Sequence, residues 1–407
     1  MSDLTSISLF IALSVASSRL CSAAQEWIPL FDGKTLNGWK PSENKTTWKV
    51  EDGTLVSRGP RSHLFYMGDV HNHDFKNFEF QAEVQTTLTS NSGIYLHTHY
   101  QETGFPETGY ECQVINSYPT NARPGQYVER KMTSSIYAIR NVWKAPVKDN
   151  EWFRYRIVVQ GKTIRTYINE ALMAEYTESE NPFRASDKIG RLLSSGTFAL
   201  QGHDPDSVAF YRSIQVKPLP DNIPTPGTPT DDPAFDTKIL KLSNDNFPLL
   251  DLNVQLKNGL TLDQALANAR KFGYTYGLVF QGGLPAGFRK PPNVYVGLRL
   301  AGLEEANTPK DLVPGNFDYV LASLSLPAGG EGQIPDPQAF MEWLVGMGNR
   351  AVLRPAHVES SASLEGIKAQ SAMRRHAQSL RWRGRGDCNR LREVRRHGLS
   401  RARRRGG

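Results

Sequence analysis

Six prolines, at 218, 220, 224, 226, 229 and 233, fall within sixteen residues and divide the chain into two stretches with different hydrophobic periods. Proline cannot donate to a sheet ladder or continue a helix, so neither a central strand nor a long helix can cross this region. It reads as an extended linker over residues 219–237. It marks a domain boundary.

Before the linker the pattern has a period of two. Short runs rich in Val, Ile, Tyr, Phe and Thr recur every 8–12 residues between Gly, Asn and Asp. Such spacing predicts an all-β sandwich or jelly roll over residues 25–218. Strands are expected at 48–50, 78–85, 93–99, 110–115, 135–140, 153–160, 162–169, 197–201 and 207–216, with a hairpin turning at Gly161. After the linker the order becomes strand 247–252, helix 261–272, strand 275–280 and a further helix at 339–345. That β–α–β order predicts a short C-terminal α/β fragment with a parallel sheet over residues 238–355.

Charge separates a third region. Residues 374–407 hold 13 Arg, no Lys and two acids, Asp387 and Glu393; removing that +11 from the formal +7 leaves −4 for the other 373 residues. The basic balance therefore belongs to a tail over 356–407, which reads as disordered or as a reading frame translated out of register. No specific nucleic-acid partner is expected of the folded part. No apolar run reaches the length of a membrane span. Cys21, Cys112 and Cys388 are too few and too scattered for a disulfide framework or a cysteine zinc site. The apolar run at 9–15 followed by Ser22-Ala23-Ala24 predicts a signal peptide over residues 1–24, and hence a periplasmic or secreted protein.

Alternation assigns faces within the β stretch. Tyr95, His97 and His99 point one way along residues 93–99, and Glu111 and Gln113 share a face on 110–115. Gln201 points outward after Phe198 and Leu200, with His203 just beyond. These are the residue types that hydrogen-bond sugars and move protons. On half-solvated strands they are equally the ordinary polar face of an antiparallel sheet.

A resemblance narrows the choice. The stretches Leu30-Phe31-Asp32-Gly33-Lys34-Thr35-Leu36 with Gly38-Trp39, and Trp48-Lys49-Val50-Glu51-Asp52-Gly53, open the pattern. Asn91-Ser92-Gly93-Ile94, Gly109-Tyr110-Glu111-Cys112-Gln113-Val114, Glu151-Trp152 and Leu200-Gln201-Gly202-His203 follow in order. Together they resemble the 3-keto-disaccharide hydrolase domain family, whose fold is a concanavalin A-like jelly-roll sandwich.

The resemblance implies a carbohydrate substrate and cleavage of 3-keto-glycosides or disaccharides by hydrolysis or elimination, with no cofactor and no metal. It makes Glu111 and His97 the catalytic candidates. Tyr95, His99, Gln113, Tyr137, Arg140, Lys144, Gln201 and His203 become candidates for substrate binding. A lectin-like module that binds sugar without cleaving it is the alternative on the same scaffold. Three positions depart from the family's habit: His97 stands for Arg, Asn116 for Asp, and Asn169-Glu170 for an Asn-Gly turn.

After the linker, Asp251-Leu252-Asn253-Val254-Gln255-Leu256-Lys257 with Gly259-Leu260-Thr261 resembles the opening of PHP-type phosphoesterase domains. There two histidines grip a metal; here Asn253 and Gln255 hold those places. Amides are poor replacements for imidazole, so this fragment is expected to be degenerate and non-catalytic.

Overall fold

The computed structural model describes residues 26–119, 121–123, 126–229, 233–281, 283–300, 317–323 and 351–354. The expected signal peptide, the Arg-rich tail and the helix at 339–345 lie outside the described residues. Before the linker the strands are β1 (Ile28–Pro29), β2 (Trp39–Pro41), β3 (Trp48–Glu51), β4 (Thr54–Arg58), β5 (Ser62–Tyr66), β6 (Phe78–Thr86) and β7 (Asn91–Thr98). They continue with β8 (Tyr110–Ile115), β9 (Phe153–Gln160), β10 (Thr163–Ile168), β11 (Ala171–Thr177), β12 (Thr197–Gly202) and β13 (Val208–Pro218).

These strands form two antiparallel sheets. The larger has the order β11-β10-β9-β6-β13-β4-β3, with β1 beside β13; the smaller has the order β2-β5-β12-β7-β8. Strict alternation explains why they stack. Phe78, Phe80, Ala82 and Val84 of β6 face inward with Phe153, Tyr155, Ile157 and Val159 of β9. From the smaller sheet, Leu64, Ile94, Leu96, Cys112, Val114, Phe198 and Leu200 meet them in one core. The outer face of the larger sheet is charged, with Arg156 3.3 Å from Glu79 and Arg212 2.8 Å from Glu83. This is the sandwich that a period of two demands.

Three expectations need correction. Strands β1, β2, β4, β5 and β11 were not among those expected from the sequence. Residues 135–140 do not form a regular strand. Ser134 and Ala138 have φ of 77° and 63°, a left-handed geometry that folds the segment back, so Ile136 bridges both Cys112 and Arg140. The segment still covers the free edge of β8, because the amides of Gln113 and Tyr137 bond Ser135 and Glu111 carbonyls at 2.9 and 2.8 Å. Finally, the extended linker ends sooner than expected, since α1 (Pro233–Asn244) starts at its last proline, where a missing N–H costs nothing.

Beyond α1 come β14 (Leu250–Val254), α2 (Leu262–Phe272), β15 (Thr275–Gln281), β16 (Tyr295–Leu300), β17 (Tyr319–Ser323) and β18 (Ala351–Arg354). All five strands are parallel and lie in chain order, as the β–α–β order predicts. Helix α2 opens with a Thr261–Gln264 capping box and closes at Gly273, φ 68°.

This unit packs on the segment leading out of β8. Trp143 joins Ile239, Leu249 and Tyr274 in a small apolar cluster, and its Nε1 donates to the Gly273 carbonyl at 3.0 Å. Arg140 bonds Asp236 at 2.6 Å and the Lys271 carbonyl at 2.7 Å. Lys144 donates to the Pro292 carbonyl at 2.8 Å.

The β10–β11 hairpin carries a testable strain. Its two central residues, Asn169 and Glu170, have φ of 47° and 67°, the geometry of a turn that favours glycine. Glu170 gains only exposed ion pairs to Arg154 and Arg156, which are worth little. Glu170→Gly is expected to stabilise the protein by about 1 kcal/mol, read as a higher urea midpoint with an unchanged slope.

Candidate functional site

The outer face of the smaller sheet is polar but buried. In register, Phe65, Ala199, Tyr95 and Glu111 form one row across β5, β12, β7 and β8. Two residues along, His63 lies opposite Gln201 and Gly93 opposite Gln113. His63 is 0% exposed, Tyr95, Gln113 and Gln201 1%, and Glu111 5%. Loops cover this face.

Gly93 makes the arrangement possible. A Cβ there would lie 2.7 Å from Glu111 Oε1, well inside contact distance, so the carboxylate folds across a residue that must lack a side chain. Gln201 Nε2 donates to that Oε1 at 3.0 Å and to the Tyr95 hydroxyl at 3.2 Å. Arg191, from the loop before β12, brings Nη2 to 3.4 Å from Glu111 Oε2, with its guanidinium 5.2 Å from the centre of the Tyr95 ring. Burial, and then the neighbouring carboxylate, push the Tyr95 phenol up, so it stays protonated.

Beside Glu111 the folded-back segment supplies a second buried group. Lys131 Nζ lies 3.1 Å from Glu129 Oε1, and the hydroxyls of Tyr127 and Tyr137 donate to Glu129 Oε2 at 2.8 and 2.9 Å. Burial pushes the Lys131 ammonium down, opposed by the Glu129 charge.

The polar atoms around Gly93 are not all satisfied by the protein. Both ring nitrogens of His63, Oε1 of Gln113, Oε1 of Gln201 and Nη1 of Arg191 are buried without a partner. They are half of the ten such side-chain atoms among the described residues. A buried donor or acceptor left unmatched costs about 1–3 kcal/mol, so this concentration sets the face apart as one whose polar atoms call for further partners, from water or a ligand.

The structure brings together four of the sequence candidates: Tyr95, Glu111, Gln113 and Gln201. His203 lies at the rim, its Nδ1 2.6 Å from Asp204 Oδ2, and Tyr137 stands beside Glu111 with its hydroxyl on Glu129. His99 is exposed just past β7.

His97 is elsewhere, and this corrects its assignment to the Tyr95 face. Its φ of 54° breaks the alternation and turns the ring against Phe78 at 5.7 Å. There Nε2 meets the Lys76 carbonyl at 2.9 Å and Nδ1 the Ser194 amide at 3.2 Å. Arg140 and Lys144 reach the C-terminal unit instead of Glu111. Sequence reasoning missed His63, Arg191, Glu129 and Lys131. Only His63 left a trace, through its alternation with Leu64 and Phe65; the others lie in irregular segments without a period.

Among the described residues no group of three or more His, Cys, Asp or Glu side chains is placed to hold a metal ion. A groove of about 560 Å³ lined by Lys162, Glu178, Phe183, Arg184 and Asp236 does not include Glu111. Its Glu178 and Arg184 already bond each other and Tyr110.

Comparison with known proteins finds similarity to carbohydrate-acting domains. Residues 26–217, just under half of the chain, match the family model described as a 3-keto-alpha-glucoside-1,2-lyase-like domain. A 3-keto-disaccharide hydrolase from Bacteroides thetaiotaomicron is 26% identical over 245 residues, covering 51% of this chain and 83% of that protein. Both support a glycoside hydrolase-like enzyme domain. Among solved structures, a provisionally named glycosyl hydrolase from Parabacteroides distasonis is 22% identical, with a TM-score of 0.40 over 48% of this chain and 94% of its own. A carbohydrate-binding module from Bacillus subtilis is 11% identical, with a TM-score of 0.31 over 44% of this chain and 95% of its own.

Two outcomes are expected from the site alone. Gly93→Ala must displace the Glu111 carboxylate, breaking its bonds to Gln201 and Arg191; loss of at least 1 kcal/mol of stability, by urea unfolding, would register this. Acid should also destabilise the fold. Burial holds His63 down at about 3 and His97 at about 4, while both titrate near 6.5 when unfolded. Between pH 6.5 and 4.5 the unfolded chain therefore binds protons that the folded chain refuses, and stability falls by roughly 2 kcal/mol per histidine. Urea midpoints at pH 7 and 4.5 measure this, and His97→Gln should remove about half of the histidine part.

Proposed function

We propose that the β domain cleaves 3-keto-glycosides, with Glu111 as the base. The observation that carries this reading is the Glu111 carboxylate, fixed over Gly93 by Gln201 and Arg191 and ringed by unmatched polar atoms.

A ketone at C3 acidifies the C2–H bond of the sugar. Glu111 removes that proton, and the electron pair moves into the C2–C3 bond as an enolate whose charge rests on the C3 oxygen. The free Nη1 of Arg191 is a buried cationic donor suited to that oxygen, where it would be worth far more than in water. Collapse of the enolate forms the C1–C2 double bond and expels the glycosidic oxygen, which takes the proton back from Glu111. Addition of water across the new double bond then gives the 3-keto sugar, so elimination and net hydrolysis share one base. A lyase-like family description and a hydrolase name for the Bacteroides relative are both what such a sequence would produce.

On this reading the first 24 residues export the protein to the periplasm or beyond. The C-terminal unit is a non-catalytic PHP-type remnant that braces the segment beside Glu111. Asn253 spends its Oδ1 on Arg299 at 2.5 Å.

The test uses a 3-keto-glucoside with a chromogenic leaving group. Glu111→Gln is expected to lower kcat by about 10²–10⁴-fold while calorimetric binding of the sugar stays within a few-fold. Binding without turnover in the wild type would make the domain a sugar-binding module instead.

A further inference from the structure

We propose that His63 contacts the substrate directly and, with Phe105, forms the subsite for the second saccharide unit, the one that leaves. The proposal rests on the cleavage reading above for which unit lies at Glu111. Its own support is independent of that chemistry.

His63 contrasts with the other buried histidine of this domain. His97 has a backbone partner on each ring nitrogen, the ordinary condition of a structural imidazole. His63 has none on either, although it is 0% exposed, and no other described side chain has two such atoms. Tyr95 and Phe105 hold its ring edge-on, at centroid distances of 5.4 and 5.6 Å. Packing therefore fixes the ring without using its polar atoms.

Burial, reinforced by the charges of Arg61, His203 and Arg191, keeps the ring neutral down to about pH 3. A neutral imidazole offers one donor and one acceptor, which a pair of sugar hydroxyls can match. It is a poor proton shuttle at neutral pH, so the role is recognition.

Position assigns the subsite. His63 faces Gln201 on the side away from Glu111, and β5 and β8 are three strand spacings apart, roughly 14 Å. That span exceeds one pyranose ring. A keto sugar seated against Glu111, Gln201 and Arg191 leaves its glycosidic partner over His63. The cover there is Phe105, whose ring is 42% exposed and carries the Arg61 guanidinium 4.9 Å from its centroid, with the His203 ring at 5.8 Å. An aromatic face next to hydrogen-bonding groups is the usual platform for a sugar.

The full-length protein with His63→Phe, which keeps a packed aromatic ring, and His63→Gln, which keeps a donor and an acceptor, tests this. The probes are 3-keto-trehalose and methyl 3-keto-glucoside, with melting temperatures to establish folding. His63→Phe should raise KM for the disaccharide tenfold or more, with kcat within threefold, and leave the methyl glucoside within twofold. His63→Gln should recover most of the loss, and Phe105→Ala should reproduce it. Equal losses on both probes, or none on either, would overturn the subsite.

Calorimetry with trehalose and methyl glucoside separates the two readings. A His63-dependent preference for trehalose in a protein that turns over neither keto sugar would sink the cleavage reading and keep the subsite. Turnover of both keto sugars with no His63 dependence would do the reverse. An absence of binding to every sugar would sink both.

Discussion

The contact between the Glu111 carboxylate and the bare Cα of Gly93 governs the rest of the site. A side chain at residue 93 would take the space the carboxylate occupies. With that space open, Glu111 lies along the sheet instead of standing up from it, and reaches Gln201 on the far side of β7. One missing Cβ thus links side chains from three strands and gives Arg191 a partner it can approach only from above. Removing charge from water is unfavourable unless it is paired and hydrogen-bonded. The loop carrying Arg191 and the amide of Gln201 meet that requirement together, giving each carboxylate oxygen a donor.

How much of this can be read from sequence depends on where order is local. The sandwich is legible because period two survives in β6, β9 and β13, where each residue's face follows from its neighbours. Glu111, Gln113, Tyr95 and Gln201 inherit that legibility from regular strands. His97 does not, since a single positive φ reverses its face and nothing in the residue type announces it. Arg191, Glu129 and Lys131 are illegible for another reason. They lie in connecting segments without a period; Arg191 meets Glu111 80 residues away, while Glu129 and Lys131 pair with each other in a stretch with no strand or helix pattern to orient them. Arg140 and Lys144, expected at the end of a strand over 135–140 and in the turn after it, looked available for substrate; tertiary packing against the C-terminal unit claims them.

The two halves of the chain, which the prolines separate in sequence, meet again on one irregular segment. Its inner side carries Glu129, Lys131 and Tyr137 against Glu111, while its outer side carries Arg140, Trp143 and Lys144 into the C-terminal unit. Positive φ values at Ser134 and Ala138 let a short stretch present both sides. An unpaired edge strand is an invitation to pair with another chain, and here the edge of β8 is covered by residues that are themselves held from behind.

That clamp implies an order of assembly on the ribosome. Domains form as the chain emerges from its N-terminal end, so all thirteen strands of the sandwich are available before Asp236, Gly273 or Pro292 has been made. The Glu111 carboxylate and Gly93 can meet early, in a sandwich whose β8 edge is covered by a segment not yet held from outside. Asp236 follows the last strand of the sandwich by 18 residues, but Gly273 and Pro292 follow it by 55 and 74, so the bracing is completed only late. Until then the nascent protein carries an assembled sandwich with one loosely guarded seam, the stage at which a chaperone or a neighbouring nascent chain would find it.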